Sequence, residues 1–485
     1  MEKYKMFIDG KFISNGKRKM IPIINPATEE VLSEIPQATA EDVKVAVDAA
    51  YEAQKSWEKV PAIERAGYLH QFATLIRKNA PHLIKTLLEE QGKTQELASV
   101  EIYFTADYFD YMAEFARRYE GEILQSDRPN EQIYIHKLPI GVAAGILPWN
   151  FPFFLIARKM APALVTGNTI VIKPSTDTPN NCCEFAKLVA KTDLPKGVFN
   201  MVLGRGGLVG NALASNPKVG IVSLTGSVEA GVKIMEAAAP NITKVSLELG
   251  GKAPAIVMAD ADLDLAARAI YNSRVINSGQ VCNNAERVYV QKSVYKKFLP
   301  KIVELMKATR VGDPSKIKDL DMGPQINLAQ VESIQAAVDG AIKEGAKLVC
   351  GGHRMKTEKG FFYEPTVLVD CTQDMRIMHE EIFGPVLPIA TFETFEEALE
   401  MANDCDYGLT SSIFTQNLDL AMRACKEIKF GETYINREHF ECMQGFHAGW
   451  RKSGIGGADG AHGLEEYLQT HVVYIDYDVN KNDIK

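Results

Sequence analysis

A chain of 485 residues exceeds the size at which a single hydrophobic core stops growing, so two or three domains are expected. With 46% hydrophobic and 24% charged residues the composition is that of a soluble globular protein, and the net charge of −8 argues against nucleic acid or an anionic membrane as partner. Eight scattered cysteines show neither zinc spacing nor a dense disulfide framework, so no metal site is expected and a cytoplasmic location is.

The first residues, MEKYKMFIDGKF, hold no apolar run of signal-peptide length, so export is not expected. Residues 5 to 25 read as short strands around an Asp9-Gly10 turn, and helices dominate from there to about residue 120. Thr39 with Asp42 resembles a helix N-cap, followed by a stripe of Val43, Ala46, Val47, Ala50 and Trp57. Phe104, Tyr108, Tyr111, Phe115 and Tyr119 form an aromatic stripe expected to be core.

The texture changes at Gly121. Residues 122 to 140 alternate around SDRPN and read as a hairpin. The uncharged stretch from Leu138 to Ala157 contains Pro139, Pro148, Asn150 and Pro152, which would leave polar groups unpaired in lipid; it reads as strand, turn and helix start. From Gly141, strands at 142–147, 169–173, 199–203, 221–224 and 244–247 alternate with helices, which implies a doubly wound parallel α/β sheet. A second alternating region follows to about Ile435, with strands near 255–258, 286–290, 362–369, 386–392 and 409–414. Thr470 to Asp478 reads as a last strand that pairs with a sheet elsewhere, in this subunit or another.

Doubly wound sheets bind ligands beyond the carboxyl ends of their strands, and the unusual residues cluster there. Prolines flank Asn150 in PWNFP, a stiff turn whose amide could donate to an oxyanion. Lys173-Pro-Ser175-Thr176 offers a lysine and hydroxyls for ribose or phosphate. Gly204, Gly206, Gly207 and Gly210 stand before a helix but break the GxGxxG fingerprint at Val209, and Thr225-Gly226-Ser227 opens another helix suited to a pyrophosphate. Glu248 in ELGGK could act as a general base, Glu381 in EEIFGPV could bind ribose hydroxyls, and Cys282 in INSGQVCNNAER is either a small buried hydrophobe or a usable thiolate.

PWNFP, KPS, LTGS, ELGGK, GQVC and EEIFGPV, in this order, resemble the NAD(P)-dependent aldehyde dehydrogenase superfamily over essentially the whole chain. The resemblance implies a Rossmann-type cofactor domain (residues 1–121 and 141–250), an α/β catalytic domain (251–450) and a small β oligomerisation element (122–140 and 466–485), assembled as a homodimer or homotetramer. It implies that Cys282 attacks the aldehyde to give a thiohemiacetal, that Asn150 and the Cys282 N–H hold the oxyanion, and that Glu248 activates the water that hydrolyses the thioester left after hydride transfer. It assigns Lys173 and Glu381 to the ribose hydroxyls, Ser227 to the pyrophosphate and Phe383 to the nicotinamide, with Leu147, Trp149, Ser175, Thr176, Gly206, Gly226 and Leu249 along the same cofactor.

Two departures matter. Thr176 stands where NAD-specific members usually carry a glutamate, which permits NADP or both cofactors, and Gly457-Ala458 replaces a relay Arg-Glu, for which Asp459 could substitute. Arg158, Glu441 and His447 occupy access-tunnel positions that are apolar in members acting on apolar aldehydes. A polar set implies a small hydrogen-bonding aldehyde, as in the lactaldehyde and glycolaldehyde dehydrogenases. Arg158 leaves an anionic semialdehyde as the runner-up, or is a salt-bridged core residue. A non-catalytic binding protein on the same fold is the alternative of another class, against which stand Cys282, Glu248 and Asn150 together.

Overall fold

Strands apolar on both faces need a sheet covered on both sides, and Val142–Ile146 and Thr169–Lys173 are buried at every residue. In the computed structural model, which describes residues 1–477, they join Phe199–Met201, Val219–Thr225 and Lys244–Glu248 as the parallel centre of an eight-stranded sheet. The chain builds outward from Val142–Ile146 on one side, then returns to add Val219–Thr225 and Lys244–Glu248 on the other. That reversal opens a crevice beyond the carboxyl ends of the strands. Phe7–Ile8 and Lys11–Phe12 extend one edge, and Gly454–Ile455 comes back from the far end of the chain to close the other beside Glu248.

The second region forms a seven-stranded sheet in the order Lys347–Cys350, Thr366–Val369, Val386–Phe392, Ala285–Gln291, Ala253–Val257, Thr410–Phe414, Glu432–Ile435. Only the Lys347–Cys350 edge is antiparallel. Its two-residue period is visible in its cores: Ala255, Val257, Val288 and Val290 join one, while Ile256 and Tyr289 join the other.

Several expectations need correction. Val31–Pro36, in a region read as helical, is a strand between Glu2–Lys3 and Met20–Ile24; its Ser, Glu and Pro obscure the alternation. The strand expected over 362–369 begins only at Thr366, because Pro365 has no N–H to give a ladder. Gly206, Gly207 and Gly210 do not precede a helix but lie within Gly206–Ala214. The Thr39–Asp42 capping box is present. The last strand, Leu468–Asp476, pairs within its own chain, against Glu131–Pro139, which also pairs with Glu122–Gln125. Residues 478–485 of the expected oligomerisation element lie outside the described residues. No helix among the described residues is long and apolar enough to cross a membrane.

A buried ionic cluster joins the strand Ala285–Gln291 to the loop before Val386–Phe392. Glu286 lies 2.7 Å from Lys252 Nζ and 2.8 Å from Arg274 Nη1, all three side chains fully enclosed, and accepts the backbone N–H groups of Ile382 and Phe383. Replacing Glu286 with alanine leaves two buried cations unpaired. Such a loss costs about 3–5 kcal/mol, and we expect the guanidinium unfolding midpoint to fall accordingly.

Candidate active site

Cys282 follows a backbone reversal in which Asn277, Ser278 and Gly279 all take positive φ (50°, 60° and 77°). A Cβ at Gly279 would come 2.3 Å from the Gly384 carbonyl carbon, so no other residue fits there. The turn is held from within by Gln280, whose Nε2 donates to the Asn277 carbonyl and whose Oε1 accepts from Ile326 N–H. It presents Cys282 half-buried at a cavity whose wall includes Asn150, Arg158, Glu248 and Glu441. Asn150 is buried, and its Nδ2 donates to the Gln280 carbonyl at 3.0 Å. The loop-like setting expected for the cysteine is therefore also the place where the candidate oxyanion donor lands.

Glu248 is no surface carboxylate. It ends its strand 4% exposed, accepts from the Thr225 hydroxyl at 3.2 Å and lies 3.6 Å from Arg158 Nη1. Burial opposes its ionisation, but Arg158 first, then Lys159 and His447, hold it below the usual carboxylate range. The glycines after it permit two close approaches: a Cβ at Gly250 would come 2.3 Å from Glu381 Oε2, and one at Gly251 would come 2.4 Å from the Cys282 carbonyl oxygen. They serve these contacts and not chain reversal alone.

Arg158 is buried and charge-balanced. It donates to Asp459 through Nε at 3.0 Å and through Nη2, and to Glu441 at 2.9 Å. Asp459 is thus linked to Glu248 through the guanidinium, and its carboxyl is pushed up by burial. Glu441 also accepts from Asn283 Nδ2. Arg158 and Glu441 line the cavity; His447 does not, and instead hydrogen-bonds Glu432 and acts on the ionisation of the nearby Cys282 thiol. Burial alone would strip its proton, yet Glu432 and Glu441 hold it well above the ordinary imidazole range. Burial raises the Cys282 thiol, and the His447 hydrogen bond works against that rise.

The residues expected along a cofactor gather beyond the eight-stranded sheet. Lys173 is buried, donates to the Pro174 carbonyl at 2.8 Å and is lowered to about 8 by burial. Glu381 accepts from Gly251 N–H at 2.9 Å and is raised to about 8 by burial and by Glu286. Ser227 caps the helix Val228–Ala238, and Gly226 N–H donates to the Glu248 carbonyl. Trp149 and Phe383 meet edge to face at 5.3 Å. Leu147 and Leu249 are tied by backbone bonds to Lys173 and Ser453, Ser175 accepts from Asp177 N–H, and Thr176 donates to the Gly204 carbonyl at 3.2 Å. Gly206 opens the neighbouring helix. A carboxylate, a buried lysine and a serine-capped helix N-terminus fit a dinucleotide.

Sequence reasoning missed the aromatic wall. Phe104, expected to be core, lines the cavity with Phe154 and Phe440, 4.9 and 6.2 Å away, while Tyr108 one turn on is fully buried. Helical periodicity identifies an apolar face without saying whether the face opposite is protein or a cavity. Thr225 and Asn283, both inside motifs read from the sequence, also line the cavity, a place that the sequence reading did not give them.

The pairing of His447 with Cys282 generates a pH prediction. An imidazolium favours the neighbouring thiolate, so its loss moves thiol ionisation to higher pH. The pH profile of Cys282 alkylation by iodoacetamide is expected to shift to the alkaline side in His447→Gln; an unchanged profile would show that the contact does not act on the thiol.

The aldehyde dehydrogenase family profile matches residues 12–473. Lactaldehyde dehydrogenase of Escherichia coli (strain K12) is 62% identical over 97% of this chain and 98% of its own length, and its crystal structure superposes with a TM-score of 0.97, covering 98% and 99% of the two chains. A D-glyceraldehyde dehydrogenase (NADP(+)) of Picrophilus torridus is 38% identical over 98% of this chain and 96% of its own. The structure of a Staphylococcus aureus betaine aldehyde dehydrogenase in complex with NAD+ is 35% identical with a TM-score of 0.96, covering 99% of this chain and 97% of that one. With the fold, the motif order and near-full-length identity all agreeing, this chain belongs to the aldehyde dehydrogenase family.

Proposed function

We propose that the chain oxidises small 2-hydroxyaldehydes, lactaldehyde and glycolaldehyde, to the corresponding acids with NAD or NADP. The carrying observation is the polar, charge-balanced end of the cavity beside Cys282, where Arg158 is shared among Asp459, Glu441 and Glu248. With its guanidinium already shared among three carboxylates, that end offers no uncompensated cation to the carboxylate of an anionic semialdehyde, which favours a neutral substrate with a hydroxyl to donate. The identity to the E. coli lactaldehyde enzyme supports the same choice.

In this reading the Cys282 thiolate adds to the aldehyde carbonyl, and the oxygen that becomes an oxyanion takes hydrogen bonds from Asn150 Nδ2 and the Cys282 N–H. Lys173, Ser227 and Glu381 would hold the dinucleotide, which when bound supplies the hydride acceptor. Glu248, held ionised by Arg158, takes a proton from water so that hydroxide attacks the Cys282 thioester, releasing the acid and returning the thiolate. The Thr176 hydroxyl puts no negative charge against a 2′-phosphate, which supports dual cofactor use, and the NADP(+)-named relative agrees. The eight-stranded sheet serves as the cofactor domain and the seven-stranded sheet as the catalytic one.

The sheet of Glu122–Gln125, Glu131–Pro139 and Leu468–Asp476 leaves Ile123, Leu124, Tyr474 and Ile475 exposed, which supports a homodimer or homotetramer assembled through it. A reducing cytosol suits the eight free cysteines. Sedimentation is expected to show an assembly that Ile123→Asp/Tyr474→Asp weakens.

Two kinetic outcomes test the chemistry. Glu248→Gln is expected to give a burst of NAD(P)H near one per site, then steady turnover slowed about 10²–10⁴-fold. Lactaldehyde is expected to exceed succinic semialdehyde in kcat/KM by about tenfold or more, equivalent to about 1.4 kcal/mol; the reverse order would favour the anionic substrate.

A further inference from the structure

Lys93 and Glu101 form an ion pair 2.8 Å apart with both side chains fully buried. Enclosing two charges gains little stability over an apolar pair, so their use here calls for another account.

Their remaining contacts supply it. Lys93 Nζ donates to the Asn150 carbonyl at 2.6 Å and sits 3.5 Å over the Phe151 ring. Glu101 Oε1 accepts the N–H groups of Phe153 and Phe154 at 2.9 and 3.1 Å, where the helix Phe154–Val165 begins and where a carboxylate complements the helix dipole. The pair therefore grips the turn from Asn150 to Phe154 at both ends. Asn277 Nδ2 adds a second donor to the Asn150 carbonyl at 3.2 Å, joining the same turn to the one that presents Cys282. With its carbonyl held twice and one amide N–H committed to Gln280, Asn150 has little freedom in the direction of its other N–H.

We propose that Lys93 and Glu101 are positioning residues that orient the Asn150 amide toward the developing oxyanion. This rests on the reading of Asn150 as the oxyanion donor. Removing an oxyanion donor lowers kcat by about 10²–10³-fold, and a misdirected one should approach the lower figure.

The test compares Lys93→Met/Glu101→Gln, Asn150→Ala and the combined triple variant, with lactaldehyde and saturating NAD+. Glutamine keeps an acceptor for Phe153 and Phe154, and neutralising both partners leaves no lone buried charge. The double variant is expected to keep the wild-type Tm, NAD+ affinity and lactaldehyde KM while kcat falls about 10²-fold. In the Asn150→Ala background the same two changes are expected to cost no more than about twofold, because the group they orient is gone. Wild-type kcat in the double variant, or an equal loss in both backgrounds, overturns the proposal. If Asn150→Ala keeps the wild-type kcat, the oxyanion reading falls and the positioning role falls with it. Should the double variant not fold, Glu101→Gln alone carries the test: a loss of kcat at unchanged KM is expected, and unchanged kcat overturns it.

Discussion

The site depends on one close approach between the two sheets. The backbone after Glu248 passes so near the Cys282 carbonyl that a Cβ at Gly251 would stand 2.4 Å from its oxygen, and the preceding glycine gives the same room to Glu381. Only glycine pairs the end of one sheet with the turn feeding the other at this distance. Candidate nucleophile, base and ribose carboxylate thereby share one rigid junction. Glu286 extends it downward, joining Lys252, Arg274 and the backbone that carries Phe383.

Charge at the junction is arranged by neighbours more than by exposure. Glu248 and Cys282 are both disfavoured as anions by burial, and each has a cation that answers it: Arg158 for the carboxylate, His447 for the thiol. Those cations are themselves anchored by carboxylates, Asp459 and Glu441 on Arg158 and Glu432 on His447. The polar end of the cavity is consequently a network with little uncompensated positive charge. Its other side is aromatic, formed by Phe104, Phe154 and Phe440.

Much of this was legible before any coordinates. Strand and helix alternation from Gly141 onward specified a parallel sheet, because short apolar runs and helical spacing are local properties of a chain. PWNFP, ELGGK and GQVC are short, contiguous and in fixed order, so the family and the identities of Asn150, Glu248 and Cys282 could be read from them. Residue type alone also made Thr176 informative, since a missing carboxylate needs no geometry to be noticed.

Other properties rest on groups far apart in sequence, and only folding brings those together. Arg158 meets Asp459 across 301 residues, so the amino-acid order could not distinguish a substrate ligand from a salt-bridged residue; in the structure it lines the cavity and is ion-paired at once. His447 was assigned to the tunnel, whereas in the structure it pairs with Ala458 through the backbone and with Glu432 through its ring. The partner of the last strand was equally open, because an amphipathic strand states what it needs and not which edge supplies it. Sequence determined the chemistry available and the order of the elements, through local pattern and residue type; tertiary structure decided which charges neutralise one another, because Coulombic pairing depends on distance in space.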